Sequence, residues 1–219
     1  LVIGVFLLLN GLFLFIFKDD FNILNGGFAD LNSFFFITPW VFIFLIPAIT
    51  MKSFADEYNS GTIELLKTKP ISSWMIVLGK FLAALLLVLS ALVPTLTYVL
   101  TIFKLGNPIG NFDIGSIIGS YIGLLFLAAT YTAIGLFTST LSKNQIVAFI
   151  LGVFSTFFLF YGFDAISNSF DNNLTLQQIG INEHFKSISR GIIDTRDLVY
   201  FISVTIFFLF ITKTRLENE

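Results

Sequence analysis

Asp56, Glu57 and Glu64 are interspersed with Lys52, Lys67 and Lys69 in one stretch, KSFADEYNSGTIELLKTKPISS, which runs from Lys52 to Ser73 between two long apolar runs. Ionised side chains are costly in hydrocarbon, so this stretch must sit in water. The chemistry open to it is recognition. Carboxylates on a short, rigid segment offer charge-assisted hydrogen bonds to the basic groups of another protein. The alternative is that the acids pair with the neighbouring lysines as solvated surface charges, which stabilise little. Phe54 and Tyr58 are four residues apart and share a helical face, extending the preceding apolar helix. Asn59-Ser60-Gly61 breaks that helix. Thr62-Ile63-Glu64-Leu65-Leu66 then fits a short helix with its apolar side toward the membrane; Pro70 stops it, and Ser72 or Ser73 caps the next helix.

Other chemistry is scarce. An ion-coupled pump or proton relay needs an ionisable group inside a span, and the apolar runs carry no Asp, Glu, Arg or His at their centres. Lys80, about a turn into the third run, is expected to snorkel to the interface. Gly79-Lys80 lacks the earlier glycine of the phosphate-binding loop GxxxxGK[ST] and is followed by Phe81. No GxSxG or HExxH occurs. The chain has no cysteine, which excludes disulfides, thiolate zinc sites and iron–sulfur clusters. Its one histidine, His184, cannot build a histidine metal site alone and is expected to hydrogen-bond at the membrane interface. No cofactor is expected. A membrane-embedded enzyme would need polar catalytic residues at a common depth, and neither a buried acid–histidine nor a serine–histidine contact is expected. A net charge of −2 offers no clustered basic face for nucleic acid.

The elements that must hold the charged stretch are membrane helices. Of 219 residues, 56% are hydrophobic, 29 are Phe and 12% are charged, against roughly 25% charged in a soluble domain; mean hydropathy is +0.90. A span needs about 20 apolar residues, and six segments qualify: 1–17, 34–51, 74–103, 114–141, 146–163 and 198–212. The expected fold is therefore all-α and polytopic, a single transmembrane domain over 1–219. Pro39 and Pro47 predict a kinked second span, and Pro94 lies inside the third. Lys52, Lys67, Lys69 and Lys80 surround the second connection, Lys143 lies in the fourth, and Lys213 with Arg215 follow the last span. These put the even connections and both termini in the cytoplasm. The first connection, with Lys18, Asp19 and Asp20, and the third, with Lys104 and Asp113, face outward. The chain opens at Leu1 directly into an apolar run with no basic flank, so a short N-terminal stretch is expected to be missing.

Two further patterns stand out. Gly115, Gly119 and Gly123 recur every four residues, followed by Ala128, Thr132 and Gly135. Small residues at that spacing let helices approach closely in lipid, either inside the bundle or at a subunit interface or substrate path. The outward segment 164–197 shows near-helical apolar spacing at Leu176, Ile179, Ile181, Phe185, Ile188 and Ile192. One or two short helices at the outer membrane face are expected there, with Gly191 as a helix stop and Asp194 with Asp197 opening the last span. Asn173-Leu174-Thr175 matches the glycosylation acceptor pattern.

FADEYNSGTIELLKTKPISSWMIVLGK resembles the cytoplasmic loop of ABC-2 type transporter permeases. The pattern is an acid before Gly-Thr, an acid with paired leucines, a Pro-small segment and Gly-Lys in the next span. Here these are Glu57, Gly61-Thr62, Glu64-Leu65-Leu66, Pro70-Ile71-Ser72 and Gly79-Lys80. The resemblance extends to the six-span layout, and HFKSISRGIIDTRDLVYF is most similar to the gliding-motility-associated permease subgroup of Bacteroidetes; copper-processing and sodium-export relatives spell this region similarly. It implies a coupling helix around Gly61, Thr62, Ile63, Glu64, Leu65 and Leu66, ended by Pro70 and seated in a separate ATP-binding subunit. Asp56, Glu57 and Glu64 would face basic residues of that subunit, which alone would hydrolyse ATP. Implied partners are two ATP-binding subunits, a second permease (identical or homologous), membrane lipids and an auxiliary subunit with an outer domain. The implied location is the bacterial inner membrane. The implied function is to couple ATP hydrolysis on that subunit to substrate export or to mechanical work in gliding; the alternatives are a non-transporting scaffold anchoring an ATPase, or another ABC-2 exporter permease such as for lipid, drug or ion.

Overall fold

The computed structural model describes residues 2–17, 21–25, 27–169 and 177–218, apart from the side chain of Lys67. Lys18, Asp19, Asp20, the Asn173-Leu174-Thr175 pattern and Leu176 lie outside the described residues. Every regular element among the described residues is helical.

Helix α1 (Val2–Gly11) runs into a π-turn at Leu12–Ile16. Helices α2 (Asn32–Thr50) and α3 (Lys52–Ser60) form one continuous rod of 29 residues. Gly61 separates α3 from the short α4 (Thr62–Lys67). Helix α5 (Ser73–Leu92) passes through a 3₁₀ turn, Val93–Thr95, into α6 (Leu96–Leu105). Then follow α7 (Ile114–Ser139), α8 (Gln145–Phe157) with a π-turn at Phe158–Gly162, α9 (Phe163–Ser169), α10 (Ile181–Ser189) and α11 (Thr195–Asn218).

Five rods are long and apolar enough to cross a membrane: Asn32–Ser60, Ser73–Leu105, Ile114–Ser139, Gln145–Ser169 and Thr195–Asn218. Val2–Ile16 is a shorter apolar helix. The expected spans lie inside these six helices to within a few residues, and three helices outrun them for physical reasons. The last, expected at 198–212, continues to Asn218, because Lys213 and Glu217 pair one turn apart at 2.5 Å and carry the helix past its apolar part. The fifth, expected to end at 163, reaches Ser169 through its π-turn. The second runs on through α3. Pro39 and Pro47 both lie inside α2 without breaking it, and Met51 N–H reaches back to the Pro47 carbonyl at 2.8 Å. The interruption caused by proline is at Pro94, in the 3₁₀ turn.

Capping follows side-chain chemistry. The Ser72 hydroxyl accepts from Met75 N–H, Asp113 from Ser116 N–H and Asn144 from Ile146 N–H. Asp194 Oδ1 accepts from Arg196 N–H at the entry to α11, and Gly191, at φ +84°, follows the last turn of α10.

Helix α7 is the axis of the bundle and packs against α2, α5, α8, α10 and α11. Lipid removes most of the hydrophobic drive for helix association, so close packing and polar glue must do this work. Thr130 and Thr205 join α7 to α11 at 3.1 Å, and Thr95 reaches Tyr121 at 3.1 Å; such bonds contribute about 0.6 kcal/mol each in a bilayer. Phe6 stacks on Phe42, and Phe126 on Phe201. A second, smaller cluster gathers Phe54, Ile63, Ile76, Val77, Leu136 and Leu216 where α3, α4, the start of α5 and the ends of α7 and α11 meet. This is the α3–α4 end of the bundle; α10 lies at the other.

Candidate functional site

The break between α3 and α4 is a glycine because its backbone requires one. Gly61 has φ +71°, the left-handed region that costs an L-residue about 1–2 kcal/mol. Thr62 then restarts the chain as α4, set on the bundle by two apolar contacts. Ile63 is buried against the second cluster and Leu66 packs at its edge. The other face of α4 is turned away from the chain: Glu64 and Thr62 are exposed, and Leu65 is 66% exposed. Pro70 is exposed in the turn before Ser72 caps α5. The apolar side of α4, expected to rest at the membrane surface, rests instead on other helices of the chain.

The three acids divide. Glu57 Oε1 lies 2.5 Å from Lys80 Nζ, which also donates to the Ser53 carbonyl at 2.5 Å and sits 4.8 Å from the centre of the Phe54 ring. Lys80 therefore ties α5 to α3. Asp56 accepts a hydrogen bond from the Gln145 side chain at the start of α8. Neither acid takes its partner from the loop lysines Lys52 or Lys69 among the described contacts. Glu64 alone of the three is on the exposed face of α4. Gln145 escaped the sequence reading; its signal is a polar side chain directly after the Asn144 cap, at the same end of the bundle as Asp56.

The glycine stripe is used within the chain. A Cβ on Gly119 would collide with the Ile188 carbonyl and Gly191, and one on Gly123 would meet the Phe185 ring at 3.1 Å. Gly115 is itself approached by Gly191, whose Cβ would come within 2.8 Å of the Gly115 carbonyl carbon. Ser116 and Ser120 both donate to the Ser189 carbonyl, at 2.9 and 3.3 Å. Helix α10 is thus seated directly on α7.

A buried acid–histidine contact, not expected from sequence, is present. His184 Nδ1 lies 2.6 Å from Asp197 Oδ1, and Nε2 lies 2.9 Å from the Gln178 carbonyl. The ring stacks on Tyr200 at 3.8 Å, and Tyr200 donates to the Ile179 carbonyl at 2.5 Å. Both ring nitrogens are occupied, one by a carbonyl that can only accept. No nitrogen remains to serve as a general base, and the group acts as a clamp between α10 and α11.

The sequence pattern of the ABC-2 family transporter protein family matches residues 12–190. The chain belongs to the ABC-2 transporter family. As a member it is a multi-pass membrane permease of an ABC transporter, the component that works with an ABC ATP-binding subunit. Comparison with curated proteins returns no match. The match begins within the first apolar helix and closes at Arg190, so α3, α4, α7 and α10 lie inside the matched residues.

Proposed function

We propose that α4 is the coupling helix through which a separate ATP-binding subunit moves this permease. The observation that carries this is the division of α4 into two faces: Ile63 and Leu66 anchor it to the bundle, while Glu64 and Leu65 point outward. The exposed leucine offers apolar area to cover, and the carboxylate beside it offers charge to set register. Asp56 and Glu57, with partners inside the chain, take a different role from docking. Helix α3 is continuous with α2, tied to α5 through Lys80 and tied to α8 through Gln145. A push on α4 reaches α3 across Gly61 and is shared among three membrane-spanning rods.

In this account Val2–Ile16 is the first of six spans, the α3–α4 end is cytoplasmic in the inner membrane, and two permeases stand over two ATP-binding subunits. Closure of those subunits on ATP rocks the spans to export a substrate or, as the similarity of 184–201 to the gliding subgroup suggests, to deliver mechanical work outward. The native chain has no cysteine, so Leu65→Cys introduces a single thiol. With its ATP-binding subunit in nanodiscs, that thiol should cross-link to the subunit, whereas Ile63→Cys should not. Equal cross-linking of both, or of neither in an assembled complex, would remove α4 from the interface.

A further inference from the structure

At the α10 end, a cleft of about 1060 Å³ opens between α2, α8, α9 and α10. One wall is aromatic. Trp40 on α2 lies 5.6 Å from Phe160 and 5.6 Å from Tyr161, and 6.2 Å from Phe157, ring centre to ring centre. The polar part of the lining centres on Asp164, in the first turn of α9, one turn beyond Phe160 on the same rod and 8% exposed. Asp164 Oδ2 accepts from Asn182 Nδ2 at 2.5 Å and lies 3.8 Å from Lys186 Nζ. Asp164 Oδ1 is buried and has no hydrogen-bond partner among the described residues. Lys186, 57% exposed, and the exposed Arg190 stand at the rim.

We infer that this cleft binds the head of an amphiphile bearing a primary ammonium next to an anionic group, the chemistry of a phosphoethanolamine lipid head. A buried carboxylate oxygen without a donor is unfavourable, and an ammonium supplies both the missing N–H and the opposite charge. The aromatic wall favours a cation on its ring faces and accommodates the apolar part of the ligand. Lys186 and Arg190, in the same lining, offer two cations to the phosphate, whose phosphorus is four bonds from the ammonium nitrogen. A soluble anion would be repelled by Asp164 and Glu183 in the same lining. An aqueous metal ion would find only two carboxylates, Asp164 and Glu183, in a lining that also carries Lys186 and Arg190, too few hard ligands to replace its water. The cleft lies at the opposite end from α4, and its occupancy does not depend on the coupling role proposed for that helix.

Trp40 and Trp74 are the chain's two tryptophans, and Trp74 is at the α3–α4 end. Trp74→Phe therefore leaves one fluorescent reporter, in the cleft wall. The full chain in detergent micelles is titrated with short-chain phosphatidylethanolamine, with phosphatidylcholine of the same chains and with free phosphoethanolamine. The ethanolamine lipid should produce a saturable change in Trp40 emission. The choline lipid, whose ammonium has no N–H, should bind at least about tenfold more weakly, and free phosphoethanolamine should leave emission unchanged at the same concentrations. Asp164→Asn should weaken the ethanolamine lipid about tenfold. Equal binding of the choline lipid overturns the N–H-donating ammonium; a response to phosphoethanolamine alone overturns the amphiphile; no saturation with any ligand overturns the site. Lipid selectivity of the Trp74→Phe chain decides between these outcomes even where Asp164→Asn does not fold, and no ATP-binding subunit enters the assay.

Discussion

Lys80 and Glu57, separated by 23 residues in sequence, meet at 2.5 Å and bind α5 to α3 where the rod leaves the bundle. The pair is three-quarters shielded from solvent, so loss of one partner strands the other. Lys80→Met should destabilise the protein by about 1–3 kcal/mol, read as a lowered midpoint in thermal unfolding of the purified protein. Lys80→Met combined with Glu57→Gln should cost less than the sum of the two single changes. Strict additivity would mean the pair carries no coupling.

Gly115, Gly119 and Gly123 look equivalent in sequence, yet their surroundings differ. A Cβ on Gly119 would strike backbone, which cannot swing aside, while one on Gly115 would meet only the Asp113 side chain at 3.3 Å. Gly119→Ala should cost about 2–3 kcal/mol and Gly115→Ala less than about 1 kcal/mol. Thermal unfolding of the two variants side by side reads the difference; equal losses would place the α7–α10 contact elsewhere.

The clamp of His184, Asp197 and Tyr200 ties α10 to α11. Asp197→Ala leaves the imidazole facing an empty site in a buried position, for an expected loss of about 2–4 kcal/mol. The local signature is faster amide hydrogen exchange across Ile181–Ser189 than across Ile114–Ser139. Unchanged protection of α10 would show that the glycine contacts hold it unaided.

Elements set by local rules were legible in the sequence, and contacts between distant elements were not. Apolar run length located the membrane helices, Asn59-Ser60-Gly61 marked the α3–α4 break, and Gly191 and Asp194 marked the end of α10 and the start of α11. Each is a decision taken within one or two turns of chain. Asp56 and Gln145 are 89 residues apart, and nothing local in either says that α3 and α8 are neighbours. For the same reason the pairing of Glu57 with Lys80 was not legible. Asp164 read as the first residue of a loop because hydropathy falls there, although the helix continues and turns its carboxyl group into a cleft. Hydropathy likewise ended the last span at 212, where the helix itself carries on through the Lys213–Glu217 pair.

Gly61 is surrounded by open space, so a side chain there meets no obstacle and only the backbone resists. Gly61→Ala should cost about 1–2 kcal/mol locally at the α3–α4 junction, and Gly61→Asn less, since Asn tolerates the left-handed region better. Cross-linking from Leu65→Cys to the ATP-binding subunit should fall in Gly61→Ala and largely return in Gly61→Asn. No difference between the two would make this hinge conformation irrelevant to docking.

If the outward face of α4 carries the stroke of the ATP-binding subunit, charge reversal of Glu64 must register in ATP turnover. Permease and ATP-binding subunit are reconstituted together in nanodiscs, assembly is verified by copurification, and ATP turnover is measured for wild type and Glu64→Lys. The Glu64→Lys complex should assemble, with turnover differing from wild type by about tenfold or more, the equivalent of one charged contact. Unchanged turnover in a fully assembled Glu64→Lys complex would contradict it.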